Sequence, residues 1–422
     1  MIQDQILVAI LVALSFLYTT MLILAVWPRR SFGKKFNPPV SIIIPAYNEE
    51  KNIEATVKSV LSADYPDDRE IIIVDDGSKD RTAQIVKKLS KKNKIVRLVK
   101  GMHQGKAKAI NLGMRNMKND FFIVLDADTE IEKNSIVELV LPFSKKKIAA
   151  IASTIRVRKS SKILTWFQHF EYANSMAFRY VSDKINGVNV VPGFCAFRKS
   201  AMEKIGGFKG DTAVEDLDVC FYLKKAGYEI TMAPKSVAYT RVPESLNGWF
   251  KQRIRWAAGT FQVLGKHRKL LFKKSFSGIS FYTVPTQIYW FIHSFLYLPI
   301  VLYQISNGFL IYYVQKGLMF SSQSLIYFVK WFAIIGMAEF IYNVAVGVYP
   351  ASLINLLSIT VFSLSYSFGI YAIVKFSKLN IYNLLGIIFF FPYVLLMLSA
   401  NCLGIFHQIA TFKRGEKWEK SF

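Results

Sequence analysis

The stretch VSIIIPAYNEE, residues 40–50, decides the fold of this chain. Its first half is a continuous apolar run that stops at Pro45, and such a run predicts a strand buried on both faces, as in a parallel sheet. A helix is predicted directly afterwards, from about Lys51 to Ser62. Because strand followed by helix is the repeating unit of α/β domains, the stretch predicts that class.

Strand followed by helix recurs along the next 80 or so residues. This length is about half that of a typical domain. After the run EIIIVDDGS, residues 70–78, the sequence predicts a helix through Lys88. Further strands are predicted at residues 95–99 and 121–125, with a helix at 104–117 between them. This alternation predicts an α/β domain with a mostly parallel sheet.

Polar side chains follow three of these strands where each strand ends. They are Tyr47 and Glu49, Asp75 and Asp76, and Asp126 and Asp128. In sheets of this class, ligands bind beyond the carboxyl ends of the strands. The sequence therefore predicts one cleft that collects all three groups.

The Asp126-Ala127-Asp128 triplet indicates a metal site. In an extended chain, residues two apart point the same way, so the two carboxylates are expected on one side. Mg²⁺ or Mn²⁺ is commonly held by few carboxylates together with substrate phosphates, and it neutralises a departing diphosphate. A solvated turn is the alternative reading of the same triplet.

Three further features carry possible chemistry. Lys106 precedes the triplet's strand and could contact phosphate, or could lie on a solvated helix end. Asp216 could be a general base or an acid at a helix N-terminus. Gln252, Arg255 and Trp256 share one helix face, which could hold a diphosphate and stack on a sugar, or could lie at a membrane interface.

Long apolar segments predict a membrane part. Ile6 to Trp27 is uncharged and long enough to span a bilayer, and Arg29, Arg30, Lys34 and Lys35 follow it, which predicts a cytoplasmic next domain. Four more spans are predicted near residues 281–304, 324–348, 352–374 and 383–406. The predicted parts are an N-terminal span at 1–28, a catalytic domain at 29–262, a bundle at 263–407 and a basic cytoplasmic tail at 408–422.

A few charges fall within the predicted bundle. Lys330 and Glu339 are nine residues apart, which places them on opposite faces of one straight helix, where they cannot pair. Counting crossings from the cytoplasmic side, Lys316, Lys375 and Lys378 are expected on the outer side, against the positive-inside rule.

The composition excludes several classes of protein. The net charge is +25 with 52% hydrophobic residues, a combination that excludes a disordered chain and suits a basic domain beside a membrane. The three cysteines are far apart, so no zinc site or disulfide framework is indicated. Because no nucleic-acid recognition motif is present, a membrane protein with a nucleic-acid-binding domain is the least favoured class.

The order of these motifs resembles membrane-embedded family 2 glycosyltransferases with a GT-A (Rossmann-like) catalytic domain. These include the poly-N-acetylglucosamine, hyaluronan, chitin and cellulose synthases. The resemblance covers residues 38–262, and the stretch from Arg241 to Trp256 looks most like the poly-N-acetylglucosamine synthases. Val214 departs from the family, which often has Thr there.

The resemblance implies a role for each matching residue. It makes Asp216 the general base, with Glu215 beside it in the catalytic motif, and makes Asp128 the metal ligand, with Asp126. The implied nucleotide-sugar-binding residues are Tyr47, Glu49, Asp75, Asp76, Lys106, Asp126, Gln252, Arg253, Arg255 and Trp256.

The implied activity is inverting, metal-dependent transfer of N-acetylglucosamine or glucose from a UDP-sugar to a growing β-linked polysaccharide, with passage of the product through the bundle. The expected cofactor is Mg²⁺ or Mn²⁺, the expected location is the cell membrane, and accessory subunits are compatible with it. The alternative left open is transfer of a single sugar to a membrane lipid.

Overall fold

The computed structural model describes residues 2–33, 35–66, 68–273, 276, 278–314, 317–377 and 381–414. Lys34, Lys316 and Lys378 therefore lie outside the described residues, as does the predicted tail beyond residue 414. All three cysteines are free, and two of them are buried.

A mixed eight-stranded sheet forms the centre of the region 29–262 that the sequence predicts to be the catalytic domain. Its strands are β1 (Val40–Ala46), β2 (Arg69–Asp75), β3 (Val96–Lys100), β4 (Phe121–Leu125), β5 (Thr129–Ile131), β6 (Ile148–Val157), β7 (Phe194–Arg198) and β8 (Glu229–Thr240). They lie in the order β3-β2-β1-β4-β7-β6-β8-β5. The β3-β2-β1-β4 half is parallel, as predicted, whereas β7 is antiparallel to both β4 and β6.

Helices cover both faces of the sheet and continue beyond it. They are α1 (Ile2–Val26), α2 (Ile53–Leu61), α3 (Thr82–Lys92), α4 (Lys106–Asn116), α5 (Ser135–Val140), α6 (Ile163–Asp183), α7 (Lys199–Ile205), α8 (Glu215–Lys225), α9 (Leu246–Lys266), α10 (Val284–Phe309), α11 (Ser322–Phe332), α12 (Ile334–Ala345), α13 (Leu353–Phe376), α14 (Ile381–Ile388) and α15 (Phe390–Arg414). A π-helical turn, Ile279–Thr283, leads directly into α10. The strands and helices predicted between residues 40 and 125 all occur close to their expected positions.

The apolar runs become strands because both faces of the sheet are buried. Ile42 and Ile44 pack in one core layer, and Ile43 packs in the other with Ile72. All four side chains are at most 1% exposed. Successive strand residues point to opposite faces, so an uninterrupted apolar run is what a sheet between two helical layers requires.

Several helices are long and apolar enough to cross a membrane. They are Asp4–Val26, Ile279–Phe309, Leu353–Phe376 and Phe390–Thr411, all judged by length and composition. The first of these packs against α13, α6 and α10, so the N-terminal helix belongs to the same bundle as the C-terminal ones. α15 also packs along α9 of the catalytic domain.

The predicted span at 324–348 is not one straight helix. It is broken at Ala333 into α11 and α12, which meet at 90°. Lys330 Nζ and Glu339 Oε1 lie 2.7 Å apart, so the prediction that these two residues cannot pair was wrong. The expectation assumed a continuous helix, and the bend brings the two faces together.

The expected outer position of Lys375 was also wrong. Its ammonium group lies 4.1 Å from the ring centroid of Tyr180 in the catalytic domain. One residue later, the carbonyl oxygen of Phe376 accepts a hydrogen bond from Arg156 Nε at 2.8 Å. The C-terminal end of α13 therefore lies on the same side as the catalytic domain.

Candidate active site

One cavity of about 490 Å³ brings most of the predicted site together. It lies between α4, α6, α8, α9 and the turn after β4. The predicted residues that line it are Lys106, Asp126, Asp128, Glu215, Asp216, Gln252, Arg255 and Trp256. Tyr47, Glu49, Asp75, Asp76 and Arg253 do not line this cavity.

The aspartate triplet lies in a turn between β4 and β5. Thr129 N donates to Asp126 O at 3.1 Å, and Asp126 N donates to Gly193 O at 2.8 Å. The expected extended geometry is therefore wrong, although both carboxylates still line the cavity. Gly193 has φ +61°, a conformation that suits glycine, and it lets the chain pass beside the Asp126 carboxylate.

The carboxylates at this turn fit a divalent cation. Burial, together with the negative charges of Asp126 and Glu49, raises the pKa of Asp128 to about 6. Among the described residues, no group of three or more His, Cys, Asp or Glu side chains has the geometry of a metal site. Two carboxylates are nevertheless enough for Mg²⁺ or Mn²⁺, because these ions complete their shell with water and substrate phosphates.

Lys106 is held between two carboxylates of the cavity. Its ammonium group lies 2.6 Å from Asp126 Oδ1 and 3.2 Å from Glu215 Oε1. These charges hold the pKa of Lys106 well above its usual range although burial opposes them. The lysine therefore links the turn after β4 to the start of α8.

Asp76 supports the loop that carries Lys106. Its carboxylate, 6% exposed, accepts hydrogen bonds from Gln104 N at 3.0 Å and Gly105 N at 2.8 Å. Gly105 has φ +90°, so the loop turns sharply just before α4 begins. Asp75 makes a local contact, accepting from Ser78 N at 3.1 Å.

Tyr47 and Glu49 lie near the cavity without lining it. The Tyr47 ring, 37% exposed, stacks on His103 with centroids 4.2 Å apart. Burial raises the pKa of Glu49, with Asp126 and Asp80 adding to the effect and Asn52 opposing it. The exposed pair of stacked rings leaves one aromatic face open beside the carboxylates.

Asp216 lies in the first turn of α8 and lines the cavity. Burial and the adjacent Glu215 carboxylate raise its pKa to about 6, while Lys106 and Arg255 act in the opposite direction. A buried carboxylate with a pKa near neutrality has the property expected of a general base.

Helix α9 presents two different faces. Gln252, Arg255 and Trp256 line the cavity, as their spacing predicts, and Arg255 Nη1 donates to Ala213 O at 2.9 Å. Arg253 does not line the cavity and forms a two-point ion pair with Glu171, at 2.8 and 2.5 Å. Its predicted direct contact with the nucleotide sugar therefore does not fit this structure.

Helix α6 contributes residues to the cavity that the sequence motifs did not indicate. Glu171, Tyr172, Ser175, Met176 and Arg179 all line the cavity. Their spacing of one, three or four residues is the pattern of one helix face, and two charged residues on that face were the signal that could have found them.

Arg179 is the least expected of these side chains. It is 5% exposed, its Nε has no hydrogen-bond partner in the described part of the chain, and Nη1 contacts the Met176 sulfur at 3.1 Å. Burial lowers its pKa to about 10, with the Asp216 carboxylate opposing that shift. A buried cation facing a cavity without a close anionic partner suits a ligand rich in oxygen atoms.

Comparison with known proteins agrees with this arrangement. A protein of Staphylococcus epidermidis named poly-beta-1,6-N-acetyl-D-glucosamine synthase is 35% identical over 228 residues, which are 53% of this chain and 55% of that protein. The synthase of the same name from Staphylococcus aureus strain COL has the same identity and coverage. The chain thus matches about half the length of these curated relatives.

A solved structure shares the fold. The mannosyltransferase PcManGT from Pyrobaculum calidifontis, in complex with GDP-Man and Mn²⁺, superposes with a TM-score of 0.60 at 20% identity, over 87% of this chain and 98% of that one. Residues 41–206, from the first strand through α7, match the family model described as glycosyl transferase family 2. Residues 41–206 are therefore similar to glycosyl transferase family 2, and the chain carries the mixed sheet of a GT-A fold.

Proposed function

We propose that the protein transfers a sugar from a UDP-sugar to a growing β-linked polysaccharide, with inversion at the anomeric carbon. The observation that carries this proposal is the single cavity that combines Asp126 and Asp128, the carboxylate of Asp216, and the Gln252, Arg255 and Trp256 face of α9. The names of the staphylococcal relatives favour N-acetylglucosamine as the sugar, with glucose second.

Each step has a residue suited to it. Asp216 takes the proton from an acceptor hydroxyl while that oxygen forms a bond to C1 of the donor sugar. The bond between C1 and the diphosphate oxygen breaks, and the nucleoside diphosphate leaves with the electron pair. Arg255 and the amide of Gln252 donate hydrogen bonds to the diphosphate, and Trp256 stacks on the acceptor.

Asp128, with Asp126, would hold Mg²⁺ or Mn²⁺. When bound, the ion would neutralise charge on the leaving diphosphate. The environment of Asp128 supports this assignment, because burial and then repulsion from Asp126 and Glu49 disfavour its ionised form. Lys106 keeps Asp126 in place from the opposite side.

The nucleoside is expected beside the cavity, and the acceptor at its other end. The exposed ring of Tyr47 and the carboxylates of Glu49, Asp75 and Asp76 are assigned to the base and ribose. On the other side, Arg179 supplies buried donors for the oxygen atoms of the acceptor.

We place the enzyme in the cell membrane, with the catalytic domain in the cytoplasm, where nucleotide sugars are expected. The apolar helices α1, α10, α13 and α15 support membrane insertion. Passage of the product through the bundle and assembly with accessory subunits extend the proposal, and no role for nucleic acid is included.

Transfer of one sugar to a membrane lipid is the second candidate. It is favoured by the broken α11–α12 pair, which leaves four full-length helices and thus a small bundle in the described part of the chain. The cavity also reaches Gln287 on α10, so an acceptor held by the bundle could enter from the membrane side.

The test is turnover by the purified protein in lipid nanodiscs. UDP-N-acetylglucosamine, UDP-glucose and UDP-glucuronic acid would be supplied singly and in pairs with Mg²⁺ or Mn²⁺, with Asp216→Asn as the blank. A large polymer from one donor would support the polysaccharide synthase and identify its sugar. A small lipid-extractable product would support the second candidate, and no product from any donor would refute both.

A further inference from the structure

Three helices meet in a buried hydrogen-bond network behind the active-site cavity. Tyr393, near the start of α15, donates from its hydroxyl group to Glu171 Oε2 of α6. The same hydroxyl oxygen accepts a hydrogen bond from Trp249 Nε1 of α9 at 2.7 Å. Both aromatic side chains are at most 1% exposed, so these polar atoms have no access to water.

The network returns to α9 through Arg253. The guanidinium binds the Glu171 carboxylate by Nε and Nη2, and its Nη1 donates to Gln252 Oε1. Gln168 Oε1 lies 3.4 Å from Nη2 and adds a third side chain around the cation. The positive charge is stabilised by Glu171, which raises the pKa of Arg253 although burial opposes it.

The contact with Gln252 has a chemical consequence. A guanidinium carries donors and no acceptor, so the amide oxygen of Gln252 must face Arg253. The NH₂ group of the amide is then left to donate into the cavity that Gln252 lines. Arg253 thus fixes which end of the amide a ligand meets, and that end suits an anionic ligand.

We propose that Tyr393, a residue of a membrane-candidate helix, is a positioning residue that orients the Gln252 amide toward the donor diphosphate through Glu171 and Arg253. The choice of the donor diphosphate as the ligand rests on the function proposed above. It assigns a role to Arg253 other than direct contact with the substrate. It also makes the geometry of the donor site depend on where α15 sits in the membrane bundle.

A double-mutant cycle on UDP affinity tests this pathway. The variants are Gln252→Ala, Tyr393→Phe and the double variant, titrated with UDP in nanodiscs by calorimetry. A hydrogen bond to a charged group is worth roughly tenfold to a hundredfold in affinity, so each single variant is expected to weaken UDP binding by about tenfold or more. If Tyr393 acts through Gln252, the double variant binds UDP about as well as Gln252→Ala alone.

Two further variants separate positioning from simple loss of stability. Tyr382→Phe is the matched control, because Tyr382 also packs on α6, with its ring 4.9 Å from that of Trp166, and lies outside the network. It is expected to leave UDP affinity unchanged. Glu171→Gln keeps the shape of the side chain, and its loss of UDP affinity is also expected to be non-additive with that of Gln252→Ala. This variant serves as the test if Tyr393→Phe does not fold.

The outcomes for the two proposals are distinguishable. Additive losses of UDP affinity in the cycle would refute the positioning role, whatever the turnover of the unmodified protein. A non-additive cycle in a protein that binds UDP and forms no sugar product would support the positioning role and refute the proposed function. Absence of UDP binding to the unmodified protein would overturn both.

Discussion

Lowering the pH is expected to stop sugar transfer through the carboxyl group of Asp216. Its pKa is raised to about 6, first by burial and then by the neighbouring Glu215 and by Asp126, while Lys106 and Arg255 lower it. A general base must be unprotonated, so activity is present above this pKa and lost below it. With a pKa of about 6, roughly one tenth of the base is active at pH 5, and kcat/KM should fall roughly tenfold from its value at pH 7.

The assay is the initial rate of UDP release across this pH range. Asp128 titrates in the same region, so Mn²⁺ must be saturating and UDP affinity measured at each pH. Arg179 also faces Asp216 and stays protonated throughout, because its pKa is about 10. Glu215→Gln removes a negative charge beside Asp216 and is expected to shift the acid limb of the pH–rate profile to lower pH. A limb that stays in place in this variant, or a flat profile down to pH 5, would refute the reasoning.

Three further variants address separate parts of the site. Asp128→Asn should lower transfer by at least about a hundredfold by removing a metal ligand, and rates that still depend on Mn²⁺ to the same degree would contradict this. Trp256→Ala should reduce chain elongation about tenfold more than donor hydrolysis, since stacking holds the acceptor, and equal losses would argue against that contact. Asp76→Asn should lower the stability of the ligand-free protein by about 2 kcal/mol, because two backbone N–H groups lose a charged acceptor; an unchanged melting temperature would show that Asp76 acts on the nucleotide alone.

The parallel half of the sheet was predictable because its signal is local. Each apolar run and each polar strand end can be read within about ten residues, and burial on both faces leaves little choice of structure. β6, β7 and β8 lack that signal, since their pairing joins residues far apart in the chain, such as Val124 and Cys195. The antiparallel pairing of β7 with β4 and β6 follows from tertiary contacts that a local pattern does not contain.

The site was predictable to a similar extent and for a similar reason. Gln252, Arg255 and Trp256 share a helix face by spacing alone, and the structure places all three on the cavity. Arg253 is adjacent in sequence but does not line the cavity, and its partner Glu171 comes from another helix. A motif indicates which residues act together, whereas the direction of each side chain depends on partners that only the folded structure supplies.

The break at Ala333 changes the number of membrane crossings that the chain can make. The segment leading into α10 begins against the catalytic domain, where Thr283 Oγ1 donates to Gly187 O at 2.7 Å, and α13 ends against the same domain through Phe376. If α10 and α13 each cross the membrane once, the segment between them must begin and end on the far side. A straight helix over 324–348 would cross the membrane and end on the near side, which violates that condition. Two helices that meet at 90° can return to the side on which they began, which satisfies it. The pairing of Lys330 with Glu339 and the position of Lys375 beside the catalytic domain are therefore both consistent with this bend.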